Sequence, residues 1–223
     1  MSNKAGYTVV AEGQRAALLS AYGVSRETME RLDVYVSLLA EWQQRTNLVG
    51  RGTLDAVWSR HILDSLQLLD HAPPGPSHWA DLGTGAGFPG LVLAIAGGEA
   101  VRSVDLVESN GKKVAFLRRV IARTNAPAKV HDGRIEAVVP RLQGIDIVTA
   151  RALAPLGQIL EWSAPLLTTG AMGLFPKGRD AETELTEAAR QWTFAHQKHP
   201  SRTDPEAAIL EIRDLRRRSE RPA

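Results

Sequence analysis

Two carboxylates and a run of glycines have the types and spacing to hold a small cofactor. Asp81 stands two positions before Gly83, and Glu108 follows 25 residues after that glycine. Residues 85–90 (GAGFPG) match the G-x-G-x-x-G fingerprint of dinucleotide sites, but the carboxylate of Asp81 would repel a pyrophosphate. The same charge would attract the sulfonium and ammonium groups of S-adenosylmethionine, and Glu108 could accept hydrogen bonds from ribose hydroxyls. The pattern favours S-adenosylmethionine, and the alternatives are a dinucleotide site and a structural glycine turn beside solvated acids.

These residues depend on a strand, a tight turn and a helix that bring them together. Residues 78–93 (HWADLGTGAGFPGLVL) predict those elements in that order, because four glycines within eight residues permit positive φ and Pro89 suits the first turn of a helix. Such a unit begins a nucleotide-binding α/β fold. Ligands bind beyond the carboxyl ends of the strands in an open α/β sheet, so we expect the site residues at strand ends.

Strands and helices continue to alternate after this unit. The apolar runs predict six further strands, over residues 103–108, 128–132, 145–152, 171–177, 192–199 and 207–215. Helical spacing over 112–122, a segment from 156 to 162 and a polar helix over 181–191 separate most of them. This order predicts an α/β fold with a mostly parallel sheet covered by helices on both faces, and the last two strands fit a hairpin at its edge.

The first third of the chain is predicted to be helical. A short helix over 11–22 precedes a longer one that Ser25 can cap, and Thr53 can cap a third. The second helix carries a core stripe of apolar residues, namely Met29, Leu32, Tyr35, Val36, Leu39 and Trp42. The proline-rich residues 72–77 (APPGPS) can continue neither a helix nor a central strand. We therefore expect an N-terminal helical region over 1–72 and, over 77–223, an α/β domain that would bind S-adenosylmethionine.

Polar residues on the third helix allow two interpretations. Arg60 and Asp64 have the i, i+4 spacing of a surface ion pair, but the same helix could cover the cofactor site with His61 and Ser65 beside them. His61 is not expected to bind a metal, because no second histidine or acidic cluster has ligand spacing. No metal site is expected anywhere in the chain.

Composition sets the remaining limits. Apolar residues make up 43% of the chain and charged residues 23%, which is typical of a globular protein, and the absence of cysteine excludes a disulfide framework. Neither an apolar run long enough to span a membrane nor a secretory signal is present, so we expect the cytoplasm. The net charge of +2 does not by itself indicate a nucleic-acid ligand.

The distribution of basic residues is more informative than their sum. Five fall within twelve residues that contain no acid: Lys112, Lys113, Arg118, Arg119 and Arg123. Five more crowd the C-terminus: Arg213, Arg216, Arg217, Arg218 and Arg221. Each group is either a solvated surface or a set of contacts to RNA phosphates, which give affinity without sequence selectivity.

Four segments of the chain resemble the RsmG (GidB) family between about residues 42 and 178: 81–91 (DLGTGAGFPGL), 112–117 (KKVAFL), 133–136 (GRIE) and 151–154 (RALA). The resemblance implies a Rossmann-like class I methyltransferase fold, with a seven-stranded, mostly parallel sheet whose seventh strand is antiparallel. It also implies methylation of N7 of a guanine (guanosine 527) in the 530 loop of bacterial 16S rRNA. The cofactor would be S-adenosylmethionine, the product S-adenosylhomocysteine, and the partner 16S rRNA or a small-subunit particle, bound by a monomer.

The resemblance further implies specific roles in the site. Its cofactor contacts fall on Gly83, Phe88, Ile135, Glu136 and Arg151, to which the glycine-loop argument adds Asp81, Gly85 and Glu108. Ile135 and Glu136 would flank the adenine, and Phe88 would pack. All five basic residues of the helix over 112–122 and its end would contact RNA, with Lys177 as a further candidate near the site.

Arg151 is the expected positioning residue for catalysis. Guanine N7 carries a lone pair and no proton, so transfer needs no general base and depends on positioning and electrostatics. Arg151 could orient guanine O6 or the cofactor carboxylate, but it could also form a salt bridge to Asp81 or Glu136 or face solvent. Two rival functions are a nicotinamide-dependent oxidoreductase, which would lack a recognisable catalytic pair here, and a non-catalytic ribosome-assembly factor that retains the fold.

Overall fold

The computed structural model describes residues 22–50 and 52–218, so the predicted helix over 11–22 lies outside them apart from Tyr22, as does Arg221. The strands are β1 (Ser77–Leu82), β2 (Val101–Glu108), β3 (Ala128–Asp132), β4 (Ile147–Thr149), β5 (Met172–Lys177), β6 (Trp192–Pro200) and β7 (Ala208–Arg217). The α-helices are α1 (Arg26–Gln43), α2 (Gly90–Ala96), α3 (Gly111–Thr124), α4 (Ile135–Val138), α5 (Leu156–Leu167) and α6 (Ala181–Ala188). Between α1 and β1, four short pieces form what we call the composite helix (residues 54–71): Leu54–Ala56 (3₁₀), Trp58–Leu63 (π), Asp64–Leu66 (α) and Gln67–His71 (3₁₀).

The seven strands form one mixed sheet in the order β3-β2-β1-β4-β5-β7-β6. The pairs among β1 to β5 are parallel, while β7 is antiparallel to both β5 and β6. This confirms the predicted α/β fold and its antiparallel seventh strand. The strand order reverses between β1 and β4, which is where open α/β sheets bind ligands.

The fourth strand is shorter than the predicted 145–152. Thr149 is its last residue with partners on both sides, Asp81 on β1 and Leu174 on β5. The chain then leaves the sheet, and Ala152 has a positive φ of 51°. Arg151 therefore lies in a loop beyond the strand end.

Helix α1 forms as its sequence predicts. The Ser25 hydroxyl accepts a hydrogen bond from the Thr28 amide at 3.1 Å. Four residues of the apolar stripe are buried and two, Val36 and Trp42, are partly buried. The predicted cap at Thr53 is wrong, because its hydroxyl donates to the Gly50 carbonyl at 2.8 Å instead of accepting from the helix. Among the described residues, no helix is long and apolar enough to cross a bilayer.

The core lies on both faces of the sheet. Alternation along a strand sends Ile147 to one hydrophobic cluster and its neighbour Val148 to the other. The first cluster joins Leu32 and Leu39 of α1 to the sheet and to Phe116 of α3. The helices before the proline-rich stretch therefore share a core with the sheet that follows it.

Candidate functional site

A cavity of about 1020 Å³ opens at the point where the strand order reverses. One wall is the loop between β1 and α2, which we call the glycine loop (residues 83–89). Another wall is the loop after β4, which we call the Arg151 loop (residues 150–155). The composite helix adds a further wall, together with Thr203, Asp204 and Ala207. Small-ligand pockets measure roughly 300–1,000 Å³, so this cavity can hold a cofactor and part of a second ligand.

Asp81 supports the glycine loop from behind. Its Oδ2 accepts hydrogen bonds from the Thr84 hydroxyl at 2.5 Å and from the Gly90 amide at 2.9 Å. Burial raises the pKa of Asp81 to about 6, and its Oδ1 has no hydrogen-bond partner within the described chain. The carboxylate is fully buried and does not line the cavity. Its predicted attraction for a cationic cofactor would therefore act through the loop, not by contact.

Glu108 holds the same loop from the end of β2. Its Oε2 accepts from the Gly85 amide at 3.0 Å, and its Oε1 accepts from the amides of Ser109 at 2.9 Å and Asn110 at 2.8 Å. An ionised carboxylate has about four acceptor sites, so one remains unused, but Glu108 is buried and does not line the cavity.

The two leading glycines of the loop have different surroundings. Gly83 has a φ of +64°, and a Cβ there would lie 2.5 Å from Leu153 of the Arg151 loop. Gly85 has a φ of +60°, and a Cβ there would lie 3.9 Å from the Lys113 ammonium. Gly83 therefore allows the two loops to meet, whereas Gly85 leaves the backbone open toward the cavity.

Arg151 fastens its loop to the composite helix. Its Nη1 forms a salt bridge with Asp64 Oδ2 at 3.0 Å and donates to the Arg60 carbonyl at 3.1 Å, while its Nη2 donates to His61 Nδ1 at 3.0 Å. The proposed salt bridges to Asp81 and Glu136 are wrong, as is the Arg60–Asp64 surface pair, because the Arg151 loop turns toward the composite helix after Thr149.

His61 is held as a neutral ring in this network. Burial and, after it, the nearby Arg151 guanidinium lower the pKa of His61 to about 4. Because Arg151 donates to Nδ1, the proton of the neutral ring lies on Nε2, which is buried and has no hydrogen-bond partner in the described structure. The ring stacks on Phe88 with centroids 4.7 Å apart, and the Arg151 guanidinium lies 5.3 Å from the Phe88 centroid. Phe88 thus packs, as predicted.

The two residues predicted to flank an adenine start α4. Ile135 is buried, whereas Glu136 is exposed and accepts a hydrogen bond from Trp162 Nε1 at 2.9 Å. The Gly133 amide donates to the Glu108 carbonyl at 3.0 Å, which places the start of α4 beside the end of β2. Neither residue lines the cavity, so the structure gathers Gly83, Gly85, Phe88 and Arg151 there without this pair.

The predicted basic residues separate into two groups. Lys113 and Lys177 line the cavity, and Lys112, Arg118, Arg119 and Arg123 are exposed on α3. The Lys177 side chain is only 7% exposed, because its ammonium binds Glu184 at 2.7 Å and the Ala154 carbonyl at 2.7 Å. Contact of Lys177 with RNA stays a prediction. In the structure its two partners, Glu184 and the Ala154 carbonyl, connect α6 to the Arg151 loop.

Sequence reasoning missed three residues that shape the cavity. The buried Tyr35 hydroxyl donates to the Ala86 carbonyl at 2.6 Å, and the Gln43 side chain accepts from the amides of Leu48 and Val49. The Thr203 hydroxyl donates to Asp64 Oδ1 at 2.7 Å. Tyr35 belongs to the apolar stripe of α1, and nothing else in the sequence indicates its hydrogen bond to the glycine loop. Over the residues described, no group of three or more histidines or acids is arranged to hold a metal ion.

Comparisons with known proteins bear on the family and on the fold. The family model described as rRNA small subunit methyltransferase G (GidB) matches residues 28–209. A protein of that name from Methylobacterium radiotolerans is 56% identical over 206 residues, which cover 92% of this chain and 97% of that protein. The structure of cofactor-bound Rv0187 from MTB has a TM-score of 0.57 at 14% identity and covers 90% of this chain and 95% of that one. The structure of M. jannaschii TYW2 in complex with AdoMet has a TM-score of 0.51 at 11% identity, over 70% of this chain and 77% of that one, and both structures show likeness of fold alone.

Proposed function

Since the chain belongs to the rRNA small subunit methyltransferase G family and is a methyltransferase, we propose that it methylates N7 of a guanine in the 530 loop of bacterial 16S rRNA. The methyl donor is S-adenosylmethionine and the product S-adenosylhomocysteine. The observation that carries the proposal is the glycine loop, whose open face forms a wall of the cavity where the strand order reverses.

The residues around the loop fit this cofactor. When bound, S-adenosylmethionine supplies an electrophilic methyl group on a sulfonium. Gly85 offers open backbone, Glu108 keeps an acceptor for a ribose hydroxyl, and the charge of Asp81 behind the loop favours a cation over a pyrophosphate. Ile135 and Glu136 flank the adenine in this proposal, since α4 begins beside Glu108.

The chain's own residues position the reactants. Guanine N7 has no proton to remove, so the described side chains need only orient the base and exclude water. Arg151 performs this role by holding the composite helix against Phe88 of the glycine loop. We propose that the target base enters the cavity unstacked and that α3 contacts the neighbouring RNA phosphates. The protein acts in the cytoplasm as a monomer, without a metal ion.

The test combines product mapping with cofactor binding. Purified protein should place labelled methyl groups from S-adenosylmethionine on 16S rRNA, and mass spectrometry of nuclease digests should locate 7-methylguanosine in the 530 loop. Calorimetry should show binding of S-adenosylmethionine and none of NAD. Methylation of another atom, or preference for NAD, would refute the assignment.

Two glycines provide a matched pair of variants for the cofactor site. Gly85 and Gly98 have similar positive φ values of +60° and +54°, so alanine strains the backbone equally at both. Gly98 has nothing within 4 Å of an added Cβ, and it does not line the cavity. Gly85→Ala should weaken cofactor binding about tenfold or more, whereas Gly98→Ala should leave it unchanged.

A further inference from the structure

Methylation at N7 leaves the enzyme with a selection problem, because adenine also carries an N7 acceptor. The two purines differ at their Watson–Crick edge, where guanine presents the donors N1–H and N2–H₂ and adenine presents an N1 acceptor. Enzymes that act on an unstacked base read this edge by hydrogen bonds. A carboxylate with a free oxygen is complementary to guanine and repels the adenine acceptor.

Three carboxylates line the cavity in the described structure, and two of them are occupied. Asp64 binds Arg151 and accepts from the Thr203 hydroxyl and from the Gln67 amide. Glu184 binds Lys177 at 2.7 Å and accepts from the Leu156 amide at 2.5 Å. Glu184 uses Oε2 for both contacts, but the charge of each of these carboxylates is already paired with a cation. The third carboxylate forms no ion pair with any described residue.

The third carboxylate is Asp204, and it is exposed. Its Oδ1 accepts from the Glu206 amide at 3.0 Å. Its Oδ2 accepts no hydrogen bond from any described residue. Asp204 therefore presents one fixed oxygen and one free oxygen at the cavity.

The loop that carries Asp204 is fastened to the composite helix. Thr203 donates to Asp64 at 2.7 Å, and the Arg202 amide donates to Gln67 Oε1 at 2.8 Å. The Ala207 amide also donates to the Asp204 carbonyl at 3.1 Å. These bonds fix the loop to the element that Arg151 holds against the glycine loop, so Asp204 is positioned before any substrate enters.

We propose that Asp204 selects guanine over adenine by accepting hydrogen bonds from the Watson–Crick edge of the target base, with its free Oδ2 accepting from N2–H₂. This inference rests on the proposed function and extends it by naming the group that reads the base. Asp204 is a specificity residue and takes no part in methyl transfer itself.

The test uses the full chain and 16S rRNA ligated to carry either guanosine or inosine at the target position. Inosine lacks only the 2-amino group, so the wild-type kcat/KM should fall about tenfold or more on inosine, the value of one hydrogen bond to a charged group. Asp204→Ala should methylate both RNAs at the same reduced rate. Asp204→Asn retains the bond to the Glu206 amide and should lower kcat/KM on guanosine about 10²-fold, because its amide donates where guanine also donates.

Control measurements separate this inference from the proposed function. Glu206→Gln changes an exposed carboxylate in the same loop, 3.6 Å from Arg179, and should keep wild-type activity. Calorimetry should give the same S-adenosylmethionine affinity for all three variants. Equal wild-type rates on guanosine and inosine would overturn the inference while the proposed function stands, and absence of 7-methylguanosine with wild-type protein would overturn both.

Discussion

The protonation state of Asp81 has opposite effects on the stability of the fold and on the expected attraction for a cationic ligand. Its two hydrogen bonds hold the glycine loop, but burial raises its pKa from 3.8 to about 6. The folded protein thus favours the neutral acid, and stability from this group is fully present below pH 3.8 and is lost as the pH rises through 6. Above pH 6 the protein carries a buried charge that weakens the fold and would attract a cationic cofactor.

Asp81→Asn should therefore change stability and binding with opposite signs. The free energy of unfolding of the variant, relative to wild type, should rise by about 2–3 kcal/mol between pH 4 and pH 8, because asparagine cannot ionise. Its affinity for S-adenosylmethionine at pH 8 should fall. Urea unfolding and calorimetry across this pH range measure both, and parallel stability curves for the two proteins would show that Asp81 does not titrate as its burial indicates.

Arg151 contacts three residues of the composite helix, Arg60, His61 and Asp64, through one planar group. Arg151→Ala should lower the free energy of unfolding by about 2–3 kcal/mol, since Asp64 loses its cation in a site where both side chains are 17% exposed. Single-turnover methylation should fall roughly 10²-fold, and Arg151→Lys should recover little because an ammonium cannot reproduce the planar fork. Chemical denaturation and rapid-quench methylation measure the two effects.

Arg217 provides the matched control for that variant. It also pairs with a carboxylate, Glu161 at 3.0 Å, and lies 5.3 Å over the Trp192 ring, but its side chain is 63% exposed and far from the cavity. Arg217→Ala should cost less than about 1 kcal/mol and leave methylation unchanged. Equal effects at both arginines would mean that Arg151 has only a surface role.

At the scale of elements, α3 connects the cavity to a charged surface. The helix begins after the carboxyl end of β2, where Asn110 caps it and Lys113 reaches the cavity. Lys112, Arg119 and Arg123 are spaced i, i+7 and i+11, so they share one exposed face. The 14 residues of α3 span about 21 Å, which gives this face the length to follow several phosphates away from the target base.

Charge reversal on that face tests RNA contact without touching the cavity. Changing Lys112, Arg119 and Arg123 together to Glu should weaken 16S rRNA binding at least tenfold and reduce the salt dependence of binding by about 2 units of slope. S-adenosylmethionine affinity should stay within error. Filter binding at several salt concentrations gives both values.

A second triple variant controls for net charge. Arg190, Arg216 and Arg218 are exposed near the opposite end of the sheet, where β7 ends beside the start of β6. Their reversal to Glu changes the charge of the protein equally and should have much less effect on RNA binding. Equal losses in the two triple variants would show that α3 has no special place in the RNA interface.

The elements also show what the sequence could predict. The glycine loop was predictable because its strand, turn and helix signals lie within sixteen residues, and Ser25 caps α1 for equally local reasons. The partners of Arg151 were not predictable, since they lie 87 to 91 residues away along the chain. The same holds for Thr203, which is 139 residues from Asp64. Polar contacts across such distances depend on the tertiary path of the loops, which the periodicity of the sequence does not specify.

At the scale of the whole molecule, the proline-rich junction at residues 72–77 separates two regions of sequence. Tyr35 of α1 nevertheless lies 5.3 Å from Phe88 of the glycine loop and 6.2 Å from Phe116 of α3, measured between ring centroids. The Arg31 guanidinium donates to the Thr124 carbonyl at 2.7 Å, at the far end of α3. Apolar packing and polar contacts therefore cross the junction along the whole of α1.

This shared core predicts that the helical region and the sheet unfold together. Separate domains at the 72–77 junction would give two transitions, whereas a common core gives one, with equal calorimetric and van't Hoff enthalpies. Leu39→Ala removes a fully buried side chain of α1 and should lower the free energy of unfolding by about 2–5 kcal/mol. Because α1 packs against the glycine loop and shares a core with the sheet, hydrogen exchange should show the amides of β5 losing protection together with those of α1 in this variant. Exchange that accelerates in α1 alone would establish the helical region as an independent unit, and would leave the cavity to be formed by the sheet and its loops.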